Sequence, residues 1–425
     1  MAAINETENL LFFTLLQLIV MIGAARSMHV VFRRMGQPGV IGEILAGLLL
    51  GPSLLGHYFP QASLALFGTH ASAPITIISQ IGIILLMFQI GMDFDFAHLG
   101  SRSNRRAAIA ITTVSMAVPI AAGTLLGRLS APLLAPSIDR VGYSLFLGLG
   151  LAITAVPTLG RILRQYELAR TELGVVAIAA AAINDVVGWL LLGAVSAYVG
   201  SRFSAAHLGF QLGGLLVLAT AAWFALRPLA AHLVRRYSEG RAEIGPNLMA
   251  GAICSMFALA LCTYRLGIFA IFGGFVGGVL FHASKEFVEA WRRQVGTFVL
   301  VFFLPVFFTY TGLRTNVLGL SGAQDWLWLA IILTGAILSK TVPVYLAGRA
   351  CGFNPAESSI LGTLMNTRGL MELIVLNIGF DLGLIPAKVF TMLVIMAVAT
   401  TLMAGPLLKR FMASSGRALP AGVEA

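Results

Sequence analysis

Apolar segments of roughly 20 residues follow one another along almost the whole chain, and this pattern restricts the fold more than any other feature. A helix needs about 20 apolar residues to cross the hydrocarbon core of a bilayer. Hydrophobic residues make up 58% of the 425 positions and charged residues only 11%, whereas soluble domains average about 25% charged residues. The sequence therefore predicts an all-α polytopic membrane protein.

About thirteen such segments are predicted, and no stretch between them has room for a soluble domain. They cover about 9–26, 38–56, 74–96, 107–127, 141–164, 172–199, 208–226, 247–265, 267–283, 294–313, 326–349, 357–380 and 387–408. We expect one membrane domain over residues 1–425, without a regulatory or nucleotide-binding domain. About six helices lie on each side of one linker helix at 208–226, so the second half crosses the membrane in the opposite direction to the first. This predicts inverted repeats at about 9–199 and 247–408.

The loops that alternate along the chain differ about threefold in their Lys and Arg content. The positive-inside rule then predicts an external N-terminus and a cytoplasmic C-terminus in the bacterial inner membrane. The net charge of +10 indicates loops facing anionic lipid rather than a nucleic-acid surface. Glu6 and Glu8 near the start are unlike the basic region of a signal peptide, so the first helix is predicted to be retained.

Enzyme chemistry has no support in the sequence. The His and Cys residues show no metal-ligand spacing, and the HExxH and GxSxG patterns are absent from the sequence. Gly273 with Gly277, and Gly274 with Gly278, have the small-xxx-small spacing of closely packed membrane helices. We predict a protein that is not an enzyme and needs no cofactor.

Asp185 lies near the centre of an otherwise apolar segment. A carboxylate at bilayer depth is costly, so it marks a functional site unless it is an uncharged acid that only joins two helices. Lys340 is predicted at a depth within roughly 5 Å of Asp185. It either neutralises the dipoles of broken helices or takes part directly in proton coupling.

Two segments are interrupted at corresponding places, each the fifth in its half of the chain. The first interruption is Thr154-Ala155-Val156-Pro157 and the second is Asn366-Thr367-Arg368-Gly369. Pro157 removes a backbone donor, and Gly369 with its polar neighbours weakens the helix. Paired interruptions of this kind are typical of transporter binding sites, although each is also compatible with a simple kink.

Arg368 and Glu372 are spaced i, i+4 and so share one helix face, which favours a structural ion pair over substrate contact.

Asp185 can hold either a proton or a small cation. If the site moves between the two membrane faces only when it is occupied, the result is obligatory exchange.

Four sequences together resemble the monovalent cation/proton antiporters, most closely the Kef-like and plant cation/proton-exchanger branch. They are GEILAGLLLG at 42–51, ITAVP at 153–157, AIND at 182–185 and NTRGLMEL at 366–373. The resemblance extends over essentially the whole chain. It implies a homodimer of about thirteen helices per chain that works by elevator-like alternating access, with dimerisation and core domains.

The same resemblance implies that Asp185 carries Na⁺, K⁺ or H⁺, that Asn184 belongs to an Asn-Asp variant, and that the helix breaks near Thr154 and Asn366 cross beside it. Lys340 matches the membrane lysine of the Asp-Asp members. Here Asn184 replaces the acid with which such a lysine would pair, which leaves the partner of Lys340 open and favours electroneutral one-for-one exchange. A potassium channel-like protein and a sodium-coupled solute symporter are the alternatives.

Overall fold

The computed structural model describes residues 2–35, 37, 39–68, 72–92, 102–168, 171–200, 205–238, 244–267 and 269–414. Within these ranges every regular element is helical. Ten of the described helices are long and apolar enough to cross a membrane. The prediction of an all-α polytopic membrane protein is confirmed.

The α-helices divide the chain as follows. They are α1 (Ala2–Arg34), α2 (Gly39–Leu50), α3 (Leu55–Tyr58), α4 (Pro60–Phe67), α5 (Ser72–Met92), α6 (Arg102–Leu134), α7 (Arg140–Ala152), α8 (Val156–Gln165), α9 (Glu172–Gly200), α10 (Ala205–Ala221), α11 (Arg227–Ser238), α12 (Pro246–Arg265), α13 (Ala270–Phe281), α14 (Lys285–Trp291), α15 (Leu304–Leu313), α16 (Ala323–Ala350), α17 (Pro355–Met365), α18 (Leu370–Asp381) and α19 (Ala387–Ser414). Turns of π-helix occupy Ala222–Leu226, Arg292–Gly296 and Val299–Phe303, and a 3₁₀ turn occupies Val317–Gly319.

Three predicted segments do not form single long helices. The segment at 141–164 is divided into α7 and α8, and the segment at 357–380 into α17 and α18. The segment at 267–283 contains the short helix α13. These differences account for ten long helices where the apolar pattern predicts about thirteen segments, because a break or a short helix leaves the hydropathy unchanged.

The helices pack in two groups, each of which draws on both halves of the chain. The scaffold group contains α1, α2, α5, α12, α13 and α15, and the core group contains α6 to α9 and α16 to α19.

Close packing at the small-residue spacing of α13 is confirmed, because a Cβ on Gly278 would collide with the backbone of Phe88 in α5. A Cβ on Gly273 would collide in the same way with the backbone of Leu259 in α12.

Local sequence explains how the two broken helices begin and end. Asp139 caps α7 by accepting a hydrogen bond from the Gly142 N–H at 2.6 Å. The chain becomes extended at Ile153, and Pro157 lies at the second position of α8, where a missing N–H costs no helical hydrogen bond. A capping box formed by Asn354 and Glu357 begins α17.

Candidate functional site

Asp185 lies within α9, and its side chain is buried, with 4% of its surface exposed. Neither carboxylate oxygen accepts a hydrogen bond from another protein group. The backbone N–H of Val156, the first residue of α8, and the charge of Lys340 both interact electrostatically with the carboxylate, without a hydrogen bond of normal geometry. A helix N-terminus carries partial positive charge, so α8 provides a favourable electrostatic setting for this acid or for an anionic group near it.

Asn184 precedes the acid and connects it to two other elements. Its Nδ2 donates to Ser115 Oγ in α6 at 3.2 Å and to Thr154 Oγ1 at 3.4 Å. Its side chain is fully buried, and Oδ1 has no hydrogen-bond donor. The amide nitrogen is therefore held by α6 and by the break between α7 and α8, while the amide oxygen remains available to a ligand.

Thr154 connects the two helix breaks directly. Its hydroxyl donates to the carbonyl oxygen of Met365, the last residue of α17, at 3.1 Å. Asn366 follows immediately and is also buried, with an Oδ1 that has no donor. Thr154 therefore contacts both Asn184 and the residue just before Asn366.

The second break packs closely against the first. A Cβ on Gly369 would collide with the Thr158 hydroxyl in α8, so a larger residue here would force that side chain to move. Thr367 donates its hydroxyl to the Leu364 carbonyl at 2.6 Å. Pro157 is described only through its backbone, since its side chain lies outside the described part of the chain.

Two buried basic side chains, Lys340 and Arg368, donate hydrogen bonds to the C-terminal end of α7. Lys340 donates to the carbonyl oxygens of Ala152 and, at 2.9 Å, Ile153. Arg368 donates to those of Gly150 at 2.7 Å and Leu151 at 2.6 Å. These are carbonyls that a terminating helix leaves without intrahelical donors, at the negative end of its dipole.

Arg368 also forms the expected ion pair. Its guanidinium contacts Glu372 Oε1 at 2.9 Å, and both side chains are fully buried. Thr401 in α19 donates its hydroxyl to the Arg368 carbonyl at 2.9 Å. The pair therefore joins α18 to the end of α7, while Glu372 Oε2 has no hydrogen-bond partner.

Sequence reasoning did not identify Ser115 or Thr401. Both are small hydroxyl residues in apolar segments, where a Ser or Thr commonly bonds to its own helix backbone and gives no distinct signal. Ser115 donates to the Thr112 carbonyl at 3.1 Å, which leaves its oxygen free to accept from Asn184.

The chemistry of this site is that of oxygen donors. Asp185, Asn184 and Asn366 provide buried oxygens without protein donors, and hard cations prefer oxygen ligands. No cluster of three or more His, Cys, Asp or Glu residues is present among the described residues. The arrangement can bind a small cation or a proton at one carboxylate, and both would compete for the same oxygens.

Comparisons with known proteins identify a family of sodium/hydrogen exchangers. A family model for transmembrane sodium/hydrogen exchangers matches residues 18–414. The chain is 34% identical over 404 residues to the Na⁺/H⁺ antiporter NhaS4 of Synechocystis, covering 94% of this chain and 97% of that protein. It is 33% identical to cation/H⁺ antiporter 17 of Arabidopsis thaliana, with 95% of this chain and 49% of the relative covered.

The K⁺/H⁺ antiporter 1 of Saccharomyces cerevisiae is 28% identical, with 95% of this chain and 46% of the yeast protein covered. The chain thus spans about half the length of these plant and yeast relatives. The structure of the sodium proton antiporter MjNhaP1 from Methanocaldococcus jannaschii has the same fold, with a TM-score of 0.67, 14% identity and coverage of 95% and 98%. The chain belongs to the transmembrane sodium/hydrogen exchanger family.

Proposed function

We propose that this protein is a secondary active antiporter that exchanges Na⁺ or K⁺ for H⁺ at Asp185. The observation that carries the proposal is a buried carboxylate neither of whose oxygens accepts a hydrogen bond of normal geometry from the protein. Such a group is unfavourable in a membrane unless a proton or a cation occupies it. Alternate occupation by H⁺ and a cation makes the two fluxes depend on each other.

The exchange is proposed to be electroneutral and one-for-one. Asn184 occupies the position next to Asp185 and donates its amide hydrogens to Ser115 and Thr154. Lys340 is engaged by backbone carbonyls of the α7 end. One titrating carboxylate then carries either one monovalent cation or one proton in each direction.

We propose either Na⁺ or K⁺ as the transported cation. The names of the relatives include a Na⁺/H⁺ antiporter from Synechocystis and a K⁺/H⁺ antiporter from yeast. The oxygen set described for the site suits either ion, since both are hard cations.

The proposed transport motion is a movement of the core group against the scaffold group. The helix breaks, Asp185 and its partners all belong to the core group, whereas α1, α2, α5, α12, α13 and α15 pack among themselves. We further propose inverted repeats, about thirteen membrane crossings, a homodimer, and a plasma-membrane orientation with the N-terminus outside. No enzymatic activity is proposed.

The function is tested with purified protein in proteoliposomes that contain a pH-sensitive dye. An imposed gradient of Na⁺, K⁺ or Li⁺ should drive protons against their own gradient, and the initial rates should identify the preferred cation. Asp185→Asn should abolish this exchange, because a neutral amide can neither release a proton nor balance a cation.

Glu286→Gln is the matched control, since it makes the same chemical change on an exposed side chain. It should exchange at the parent rate. Exchange retained by Asp185→Asn would refute the assignment of the ion site. Cation flux without uphill proton movement would instead indicate a channel, and stimulation of sodium entry by an organic solute would indicate a symporter.

A further inference from the structure

Arg314, just beyond the end of the scaffold helix α15, reaches into the core group. Its guanidinium donates to Asn377 Oδ1 at 3.1 Å and forms an ion pair with Asp381, both on α18. Its Cζ also lies over two aromatic rings, 5.1 Å from the centroid of Tyr310 and 4.7 Å from that of Phe380. One side chain therefore joins the two groups through hydrogen bonds, charge and ring contacts.

Neighbouring residues add polar contacts across the same boundary. Asn377 Nδ2 donates to Thr311 Oγ1 of α15 at 2.8 Å. The backbone N–H of Asn316 donates to Thr391 Oγ1 of α19 at 3.2 Å. Thr311, Asn377 and Thr391 are buried, so water does not readily replace these bonds when they break.

The contact between the groups has a different character near the helix breaks. There Val40, Ile41 and Ile44 of α2 share a cavity of about 10 Å³ with core residues that include Thr158 and Leu373. Aliphatic side chains can slide past one another without losing a directional bond. Resistance to relative movement of the groups is therefore concentrated where Arg314 lies.

We infer that Arg314, Asn377 and Asp381, with the Thr311 and Thr391 contacts, form a lock that holds the outer side of the transport pathway closed. The lock lies at the end of the helices that the distribution of Lys and Arg assigns to the outside. The inference rests on the proposed exchange by movement of the core group. Opening of the outer pathway requires these bonds to break. Their strength therefore sets the ratio of the inward-open and outward-open populations.

Crosslinking across the lock tests the inference. In a protein whose Cys254, Cys262 and Cys351 are replaced by serine, the pair Thr311→Cys and Asn377→Cys is joined with a short bifunctional thiol reagent. Exchange should fall to the level of empty liposomes and return after reduction. Continued exchange by the crosslinked protein would overturn the inference.

The matched control is the pair Asp325→Cys and Lys388→Cys. These residues form an ion pair at 2.8 Å, and both belong to the core group, on α16 and α19. Crosslinking this pair joins parts that move together, so exchange should persist. Loss of exchange in both pairs would mean that crosslinking at this end is harmful in itself, and the lock would be rejected.

Arg314→Gln provides a readout that a folding defect would not produce. Weakening the lock favours the outward-open state, so the KM for external cation should fall about fivefold while the KM for internal cation rises. Equal movement of both constants in one direction, or no change, would contradict the lock. The two constants are measured in right-side-out and inverted membrane vesicles.

Labelling separates failure of the lock from failure of the proposed function. Thr391→Cys, which replaces a buried side chain, should react with an external membrane-impermeant maleimide about fivefold faster when Arg314→Gln is also present. This measurement requires no transport. If the parent protein shows no exchange, the proposed function fails while the labelling still decides the lock; equal labelling rates overturn the lock alone.

Discussion

Lys340 donates to the carbonyl oxygen of Ile153 at 2.9 Å, at the point where α7 ends and the chain becomes extended. The side chain is fully buried, and it also donates to the carbonyl of Ala152. Asp185 acts on it only through charge. The lysine thus provides donors for a helix end that has none of its own, which favours the structural one of the two roles considered from sequence.

Replacement of Lys340 should separate these roles. Lys340→Met leaves the Ala152 and Ile153 carbonyls without donors, at a cost of about 1–3 kcal/mol each. Lys340→Gln keeps a donor and should lose less stability while retaining exchange. Thermal unfolding in detergent and proteoliposome exchange check both variants. A Gln variant that unfolds like the parent but does not exchange would instead indicate a direct role for the lysine charge.

Arg368 and Glu372 should behave as one unit with the α7 end. Arg368→Met leaves a buried carboxylate and two carbonyls unsatisfied, so the free energy of unfolding should fall by about 3–5 kcal/mol. Glu372→Gln should cost less, because the Gly150 and Leu151 carbonyls still bind the guanidinium. The double variant Arg368→Met with Glu372→Leu should cost less than the sum of the single changes, and additive losses would argue against coupling.

Asn184→Asp should make exchange sensitive to membrane potential. The side-chain change removes an amide donor and adds a carboxylate, to which the hydroxyls of Ser115 and Thr154 can turn and donate. A second acid beside Asp185 then allows more than one charge to move per cycle. Transport rate measured against imposed potential tests this expectation, with the neutral Asn184→Ser as control. An Asp variant that ignores the potential would disprove the charge argument.

Gly278→Ala should weaken the scaffold group. A Cβ there would lie 2.9 Å from the backbone nitrogen of Met92 and collide with the backbone of Phe88, so α13 and α5 must separate. Overpacking of this kind costs about 1–3 kcal/mol, which thermal unfolding should detect. Gly251→Ala is the control, because its Cβ position has no atom within 4 Å beyond its chain neighbours and its own helix backbone. Equal melting temperatures for the two variants would contradict the packing argument.

The helix breaks show which structural features the local sequence can predict. Thr154-Ala155 and Asn366-Thr367 were identifiable because Pro157, Gly369 and polar residues interrupt apolar runs. The same reasoning predicted a discontinuous helix at 141–164, interrupted at Thr154-Ala155-Val156-Pro157. In the structure Pro157 lies in the first turn of a second helix, α8, because the first turn of a helix tolerates the missing N–H.

The sequence by itself determined that the chain crosses a membrane repeatedly as helices and that Asp185 lies among apolar residues, because apolar length and the cost of a buried charge are local properties. Tertiary structure decided which acceptors the buried cations bind. Lys340 and Arg368 lie about 190 and 220 residues from the α7 carbonyls they reach. Only packing brings such distant groups together, and the end of α7 inside the core group leaves carbonyls for them to bind.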